Sequence, residues 1–217
     1  MAEVGCLKDG CFHNLQAEGK LLLAHPDGDT GSHEITGGLE LTGALTVTGV
    51  TTLAGNVGPS AGTGITTGTN TIYASSVTHI GGIWHTSILI NLKDLASSGS
   101  GDIIGKAGTA NSNIGTTTVA LNGTILGGKL TCLKDPAGGD PDIDLWYADE
   151  STGREDTQIT ALNEVQILNS GDLAAGSVLG IPDPPVAGKY LYLVTGAATN
   201  ANYTAGKILI EFFGYDA

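Results

Sequence analysis

Four aspartates fall within ten residues of one stretch, Lys134-Asp-Pro-Ala-Gly-Gly-Asp-Pro-Asp-Ile-Asp144. Calcium takes six to eight oxygens from carboxylates and carbonyls, and Asp140, Asp142 and Asp144 are close enough in sequence to supply three. The EF-hand pattern is not met, because the glycines precede the acids and no glutamate follows in register. Asp142 and Asp144 would also share one face of an extended segment, where solvated carboxylates are common at strand edges. A solvated loop is the expectation here, with calcium as the weaker alternative.

His79 and His85 flank Ile80-Gly-Gly-Ile-Trp84, where the two glycines suggest a turn. They could meet across a hairpin, and ordinary hydrogen-bonded or exposed histidines are the competing reading. Cys6, Cys11 and Cys132 are too few and too odd in number to staple a fold, and no Cys-x-x-Cys spacing marks a zinc site. Reduced thiols are expected. No nucleophile elbow, phosphate-binding loop or His-Glu-x-x-His is present. Two carboxylates doing glycosidase work need no sequence proximity, but two Trp, six Tyr and three Phe leave little material for a sugar-stacking cleft. The expectation is a protein that is not an enzyme and carries no cofactor.

The chain has a net charge of −13, from nine Lys and Arg against 22 Asp and Glu. Phosphate backbones are held by clustered basic side chains, and the cations here are scattered singly, so nucleic acid is not an expected partner. No run reaches the roughly 18–20 apolar residues that span a bilayer as a helix. Met1–Phe12 has no apolar core of the length found in secretory signals. Synthesis in a cytoplasm and no membrane insertion are expected.

The elements that must position any site are strands. Glycine makes up 34 of 217 residues and charged residues only 14%, while threonine and serine favour strands and turns. An all-β fold follows. Residues 1–36 alternate short apolar clusters with glycines and read as an extended N-terminal arm, with Leu7, Phe12, Leu15, Leu21, Leu22 and Leu23 as its anchors. Residues 37–60, GGLELTGALTVTGVTTLAGNVGPS, repeat glycine every six residues at Gly37, Gly43, Gly49 and Gly55. Each hexad reads as a short strand with apolar residues two apart on one face and a glycine corner. About three repeats or more are needed for a self-supporting solenoid, and four hexads make little over one turn. Three chains wound about a common axis would bury Leu39, Leu41, Leu45, Val47, Leu53 and Val57; two consecutive hairpins are the alternative. At ~4.8 Å per layer the stalk would be roughly 20 Å long.

Residues 61–217 read as one domain after a Ser60–Thr69 junction expected to be a linker or first loop. Eight strands are expected, over 71–79, 83–92, 116–121, 124–133, 143–148, 161–168, 190–195 and 207–213, separated by turn chemistry. Asn122-Gly123 between two apolar runs is a hairpin signal. Eight strands in this length suit a jelly-roll-like β-sandwich. The nearest helical pattern, 164–173, is weak.

The text Gly43-Ala-Leu-Thr-Val-Thr-Gly-Val-Thr-Thr-Leu-Ala-Gly55 resembles strings common in the trimeric stalks of tailed-bacteriophage fibres and decoration proteins. Val4-Gly-Cys-Leu-Lys-Asp-Gly-Cys-Phe-His-Asn-Leu15 is similar to the N-terminal arm of virion structural proteins from phages of cyanobacteria and other aquatic bacteria. Ile88–Ser98, Gly101–Gly105 and Asp140–Leu145 resemble the C-terminal domains of the same group. The resemblance implies a non-enzymatic homotrimer on the capsid surface of a virion, a decoration or cement protein whose arm contacts the major capsid protein. A tail-fibre or receptor-binding protein with a glycan-binding head is the alternative. A lectin-like module using Trp146 and Tyr147 is a third possibility, against those rings filling the core.

Overall fold

The computed structural model describes residues 58–67, 70 and 72–216, all within the compact unit Thr52–Ala217. The arm residues Leu7, Phe12, Leu15, Leu21, Leu22 and Leu23, the hexad residues Leu39, Leu41, Leu45, Val47, Leu53 and Val57, and Cys6 and Cys11 lie outside the described residues.

Period-two patterning sets the strands. In Ile83–Asn91, Thr86, Ile88 and Ile90 are buried while the residues between them face away from the core. Side chains on successive strand residues point to opposite faces, so one face goes to the core. The chain forms a one-turn helix α1 (Thr63–Thr66), then β1 (Tyr73–Ile80), β2 (Ile83–Asn91) and β3 (Ala96–Ser97). A second one-turn helix α2 (Val119–Asn122) precedes β4 (Thr124–Ala137) and β5 (Ile143–Ala148). There follow β6 (Glu164–Leu168), β7 (Val178–Ile181), β8 (Tyr190–Thr195), β9 (Ala201–Asn202) and β10 (Ala205–Tyr215). The described residues are therefore all-β apart from single helical turns, and every strand pairing is antiparallel. Five strands form one sheet in the order β1-β2-β10-β4-β7, three form another in the order β6-β5-β8, and β3 pairs with β9.

One apolar core joins the two larger sheets. Ile88, Ile90, Leu130, Ile208, Ile210 and Phe212 enter it from the five-stranded sheet, and Ile143, Leu145, Ile167, Leu191 and Leu193 from the three-stranded one. Each such side chain contributes about 1.5–3 kcal/mol by leaving water. The intervening residues of β5 and β8 face the opposite way into a second cluster. Ala148, Tyr192 and Val194 meet Ile103, Ile159 and Leu162 there, with Trp146 and Tyr190 packed alongside. The three-stranded sheet is thus covered on both faces, and this is why Ile143–Ala148 and Tyr190–Thr195 read as nearly continuous apolar runs.

Several expectations are corrected by local chemistry. Residues 116–121 do not form a strand: Thr116 makes an isolated bridge to Tyr190, and the chain then turns into α2. The Thr118 hydroxyl caps the Leu121 N–H, and Asn122 Oδ1 accepts from the Thr118 N–H. Gly123 then ends the turn at φ +63, a backbone state that glycine reaches without a Cβ clash. Asn122-Gly123 is therefore a helix stop and not a hairpin turn. The Ser60–Thr69 junction is not a simple linker, because Ile65 is fully buried in the main core. The strand expected over 161–168 forms as β6, Glu164–Leu168, and the weak helical pattern over 164–173 is not realised.

Candidate docking face

The face of the five-stranded sheet turned away from the core is set by register. Ile80, Ile83 and Tyr215 are cross-strand partners at one end. The next rows are His85–Phe213–Gly127, then Ser87–Glu211–Lys129–Gly180, then Leu89–Leu209–Thr131–Val178. Of the three register shifts between β10 and β4, one falls beside Phe213 and Gly214 and one beside Lys207 and Ile208. Leu126 occupies the first and Leu133 the second, and both are exposed.

This face collects the exposed apolar surface. Eleven large hydrophobic side chains are exposed among the described residues. Ile80, Ile83, Leu126, Phe213 and Tyr215 cluster at one end of the face, and Ile72, Leu133 and Val178 lie toward the other. Only Val119, Val165 and Val186 lie elsewhere. Apolar side chains gathered on one sheet face in this way are a common sign of an interaction surface. A Cβ added at Gly127 or Gly180 would meet nothing within 4 Å, so the surface there is bare backbone open to close approach.

An ionic chain crosses the middle of the face. Glu211 Oε2 lies 3.0 Å from Lys129 Nζ, and Oε1 lies 3.0 Å from His85 Nε2. The His85 ring stacks on Phe213 at 5.0 Å. Burial pushes the Glu211 carboxyl up, but the bonds from Lys129 and His85 outweigh it and hold the group below its ordinary value. Ser87 Oγ is 3.5 Å from His85 Nε2, which places Ser, His and Glu together as in a hydrolase. Both partners, however, use the same ring nitrogen. A catalytic triad needs the carboxylate on one nitrogen and the hydroxyl on the other, so this set cannot orient the imidazole and deprotonate the serine at once.

His79 and His85 stand on opposite faces. His79 pairs in register with Trp84, stacks on it at 4.0 Å, and lies 3.0 Å from Asp216 Oδ1. Trp84 Nε1 donates to the same oxygen at 2.6 Å.

The aspartates tie loops together. Asp140, fully buried, accepts the Asp142 N–H on Oδ1 and the Thr199 N–H on Oδ2. Asp144 accepts from the Ser170 N–H and from Gln166 Nε2. Asp135 accepts the Ala175 N–H at 2.6 Å. Asp142 is the exception, with a buried Oδ1 that has no hydrogen-bond partner. Burial, then the neighbouring Asp144, Asp140 and Asp172, push its carboxyl above the usual range. Among the described residues, no group of three His, Cys, Asp or Glu is placed to hold a metal ion. Cys132 is buried on β4 and donates its thiol to the Lys134 carbonyl. Trp146 and Tyr147 pack against the second and the main core respectively.

An apolar recess of about 420 Å³ lies between α2, the start of β4 and Pro184–Ala187. Of the threonines lining it, Thr117 donates its hydroxyl to the Val186 carbonyl and Thr118 accepts the Leu121 N–H. Among the described residues, no helix is long and apolar enough to cross a membrane.

Sequence reasoning missed this outward apolar face, although a signal was there. Ile88-Leu-Ile and Ile208-Leu-Ile-Glu-Phe-Phe213 are apolar on both strand faces, which a sheet with one solvated face does not require. Comparison with known proteins brings no match: no protein-family model, curated protein or solved structure matches this chain.

Proposed function

We propose that this protein is a homotrimeric capsid decoration, or cement, protein of a tailed bacteriophage. The observation that carries the reading is the concentration of exposed apolar side chains on one sheet face, the mark of a component built to be covered in an assembly. The resemblance of the hexads and of the arm to virion structural proteins supplies the kind of assembly. The head is a jelly roll in this reading, supported by the order β1-β2-β10-β4-β7 opposite β6-β5-β8. Three chains associate through Leu39, Leu41, Leu45, Val47, Leu53 and Val57. The arms of residues 1–36 spread over neighbouring major capsid subunits through their apolar anchors. Three weak arms acting together hold far more tightly than one, and separating two capsomers then requires breaking several contacts at once.

The end of the hexad segment is fixed to the head. The Tyr73 and Ser75 hydroxyls both donate to the Pro59 carbonyl, at 2.6 and 2.7 Å, so a load on the segment passes into β1 without slack. The test is copy number and mechanics on the particle. Quantitative mass spectrometry of purified virions should find hundreds of copies, and particles lacking the protein should release DNA at lower temperature than complete ones. A handful of copies would place it on the tail, and unchanged heat resistance would end the cement reading.

A further inference from the structure

Charge on the outward sheet face is opposite to charge on the rest of the molecule. Lys129, Lys134 and Lys207 stand there against Glu211 alone, with Lys134 and Lys207 in register across β4 and β10. The other described residues carry four cations, at Lys93, Lys106, Arg154 and Lys189, against fourteen carboxylates. The face is therefore locally cationic and apolar in an acidic protein, and the surface that complements it is on the same chain. Its densest exposed carboxylate run follows β5, where Asp149, Glu150 and Asp156 are exposed within eight residues, with Lys189 paired to Asp149 and Arg154 the one cation inside the run.

We propose that the outward face of the five-stranded sheet docks the acidic loop 149–156 of a second copy, head to tail, so that three heads close a ring. This rests on the trimer reading above and adds to it a contact made by the heads themselves. A contact between two different patches of one chain is heterologous, and such contacts close into rings when the rotation permits. The apolar cluster of Ile80, Ile83, Leu126, Phe213 and Tyr215 supplies the buried area. The lysines select the acidic side of the neighbour and reject a second copy of the same face, where lysine would meet lysine. Bare backbone at Gly127 and Gly180 allows the incoming loop to approach closely.

The test uses the full chain. Sedimentation equilibrium at micromolar concentration first establishes the oligomer. A mixture of ¹⁴N and ¹⁵N protein is then treated with a carbodiimide, which joins lysine to carboxylate without a spacer. The proposal expects mixed-isotope links from Lys129, Lys134 or Lys207 to Asp149, Glu150 or Asp156. Because Ile83 and Leu126 are exposed, the double variant Ile83→Asp with Leu126→Asp should keep its fold by circular dichroism. Its association should weaken at least tenfold, and Val165→Asp, on the other sheet, should leave association unchanged. A trimer that forms these double-variant contacts at wild-type strength, or links Lys129 only to Glu211 of another copy, overturns the head-to-tail contact and leaves the trimer standing. A wild-type chain that sediments as a monomer, whether its face is open or covered by its own residues 1–57, overturns both.

Discussion

Lys129 and Glu211 are register partners on adjacent strands, and their ammonium and carboxylate groups lie 3.0 Å apart. The Glu211 side chain is only 12% exposed, and that of Lys129 is 40% exposed. A pair this close to solvent is screened on the lysine side, so its worth is modest. Glu211 matters more than Lys129 because it also accepts from His85.

Glu211→Gln should cost about 1 kcal/mol at neutral pH, read from urea unfolding. Its folded carboxyl lies below the ordinary value, so its stabilisation is present above the unfolded glutamate value of about 4.3 and is lost as pH falls through the lower folded one. The wild-type stability curve should therefore drop more steeply than that of the variant below about pH 4. Parallel curves would show that the pair contributes nothing.

Asp142→Asn should act with the opposite sign. The Asp142 carboxyl is raised by burial and by three neighbouring aspartates, so its contribution favours the fold below the unfolded value and is lost as pH rises through the folded one. The variant should melt higher than wild type at pH 7, and the difference should vanish near pH 3. A lower melting point at pH 7 would mean that the charge serves a contact these neighbours do not explain.

Asp140→Asn tests the aspartates as loop ties. The replacement sets an amide donor against one of two N–H groups that the buried carboxylate satisfies, at a cost of about 1–3 kcal/mol. Millimolar calcium should not restore the melting temperature, and chelator should not lower that of wild type. A calcium-dependent rise in either protein would reassign the loop as a cation site.

Tyr192→Phe should cost roughly 1–3 kcal/mol, because one hydroxyl serves two loop groups. Tyr192 Oη donates to the Glu150 carbonyl at 2.7 Å and accepts the Gly153 N–H at 3.2 Å. Hydrogen exchange at Gly153 should accelerate in the variant while the β5 amides remain protected. Loss of protection throughout β5 would show that the ring, and not the hydroxyl, holds this layer.

Tyr73→Phe combined with Ser75→Ala removes both donors to the Pro59 carbonyl. Limited proteolysis between Gly58 and Ala61 should become several times faster, with the head core still intact. Unchanged cleavage would mean that the junction is held without them, by Pro59 packed against Gly115 and by the Gly62 N–H bonded to the Asn113 carbonyl.

Strands with strong alternation or continuous apolar runs were legible from sequence. Ile143–Ala148 and Tyr190–Thr195 form with the expected bounds, and Ile83–Asn91 within one residue. The short strands Ala96–Ser97, Val178–Ile181 and Ala201–Asn202 were not read, because two to four residues carry no period and their pairing depends on distant partners. Residues 116–121 misled because threonine favours strands in general, while Thr118 here caps a turn and Asn122 bonds Thr86 Oγ1 from inside the fold. The outward apolar face was illegible for a different reason. Alternation assigns inside and outside along one strand, but a surface patch is assembled by register across four. Leu126 and Leu133 reach it through bulges that no local pattern announces.

The position of β10 has a consequence for biogenesis. The last strand of the described chain lies in the middle of its sheet, between β2 and β4, and it supplies Glu211, Phe213 and Tyr215 to the outer face. A ribosome must deliver residue 215 before that sheet can close, so folding is deferred until the whole head has emerged, and contacts so distant in sequence make it slow. Chains that end before residue 205 consequently lack the middle strand of the sheet and cannot present its outer face.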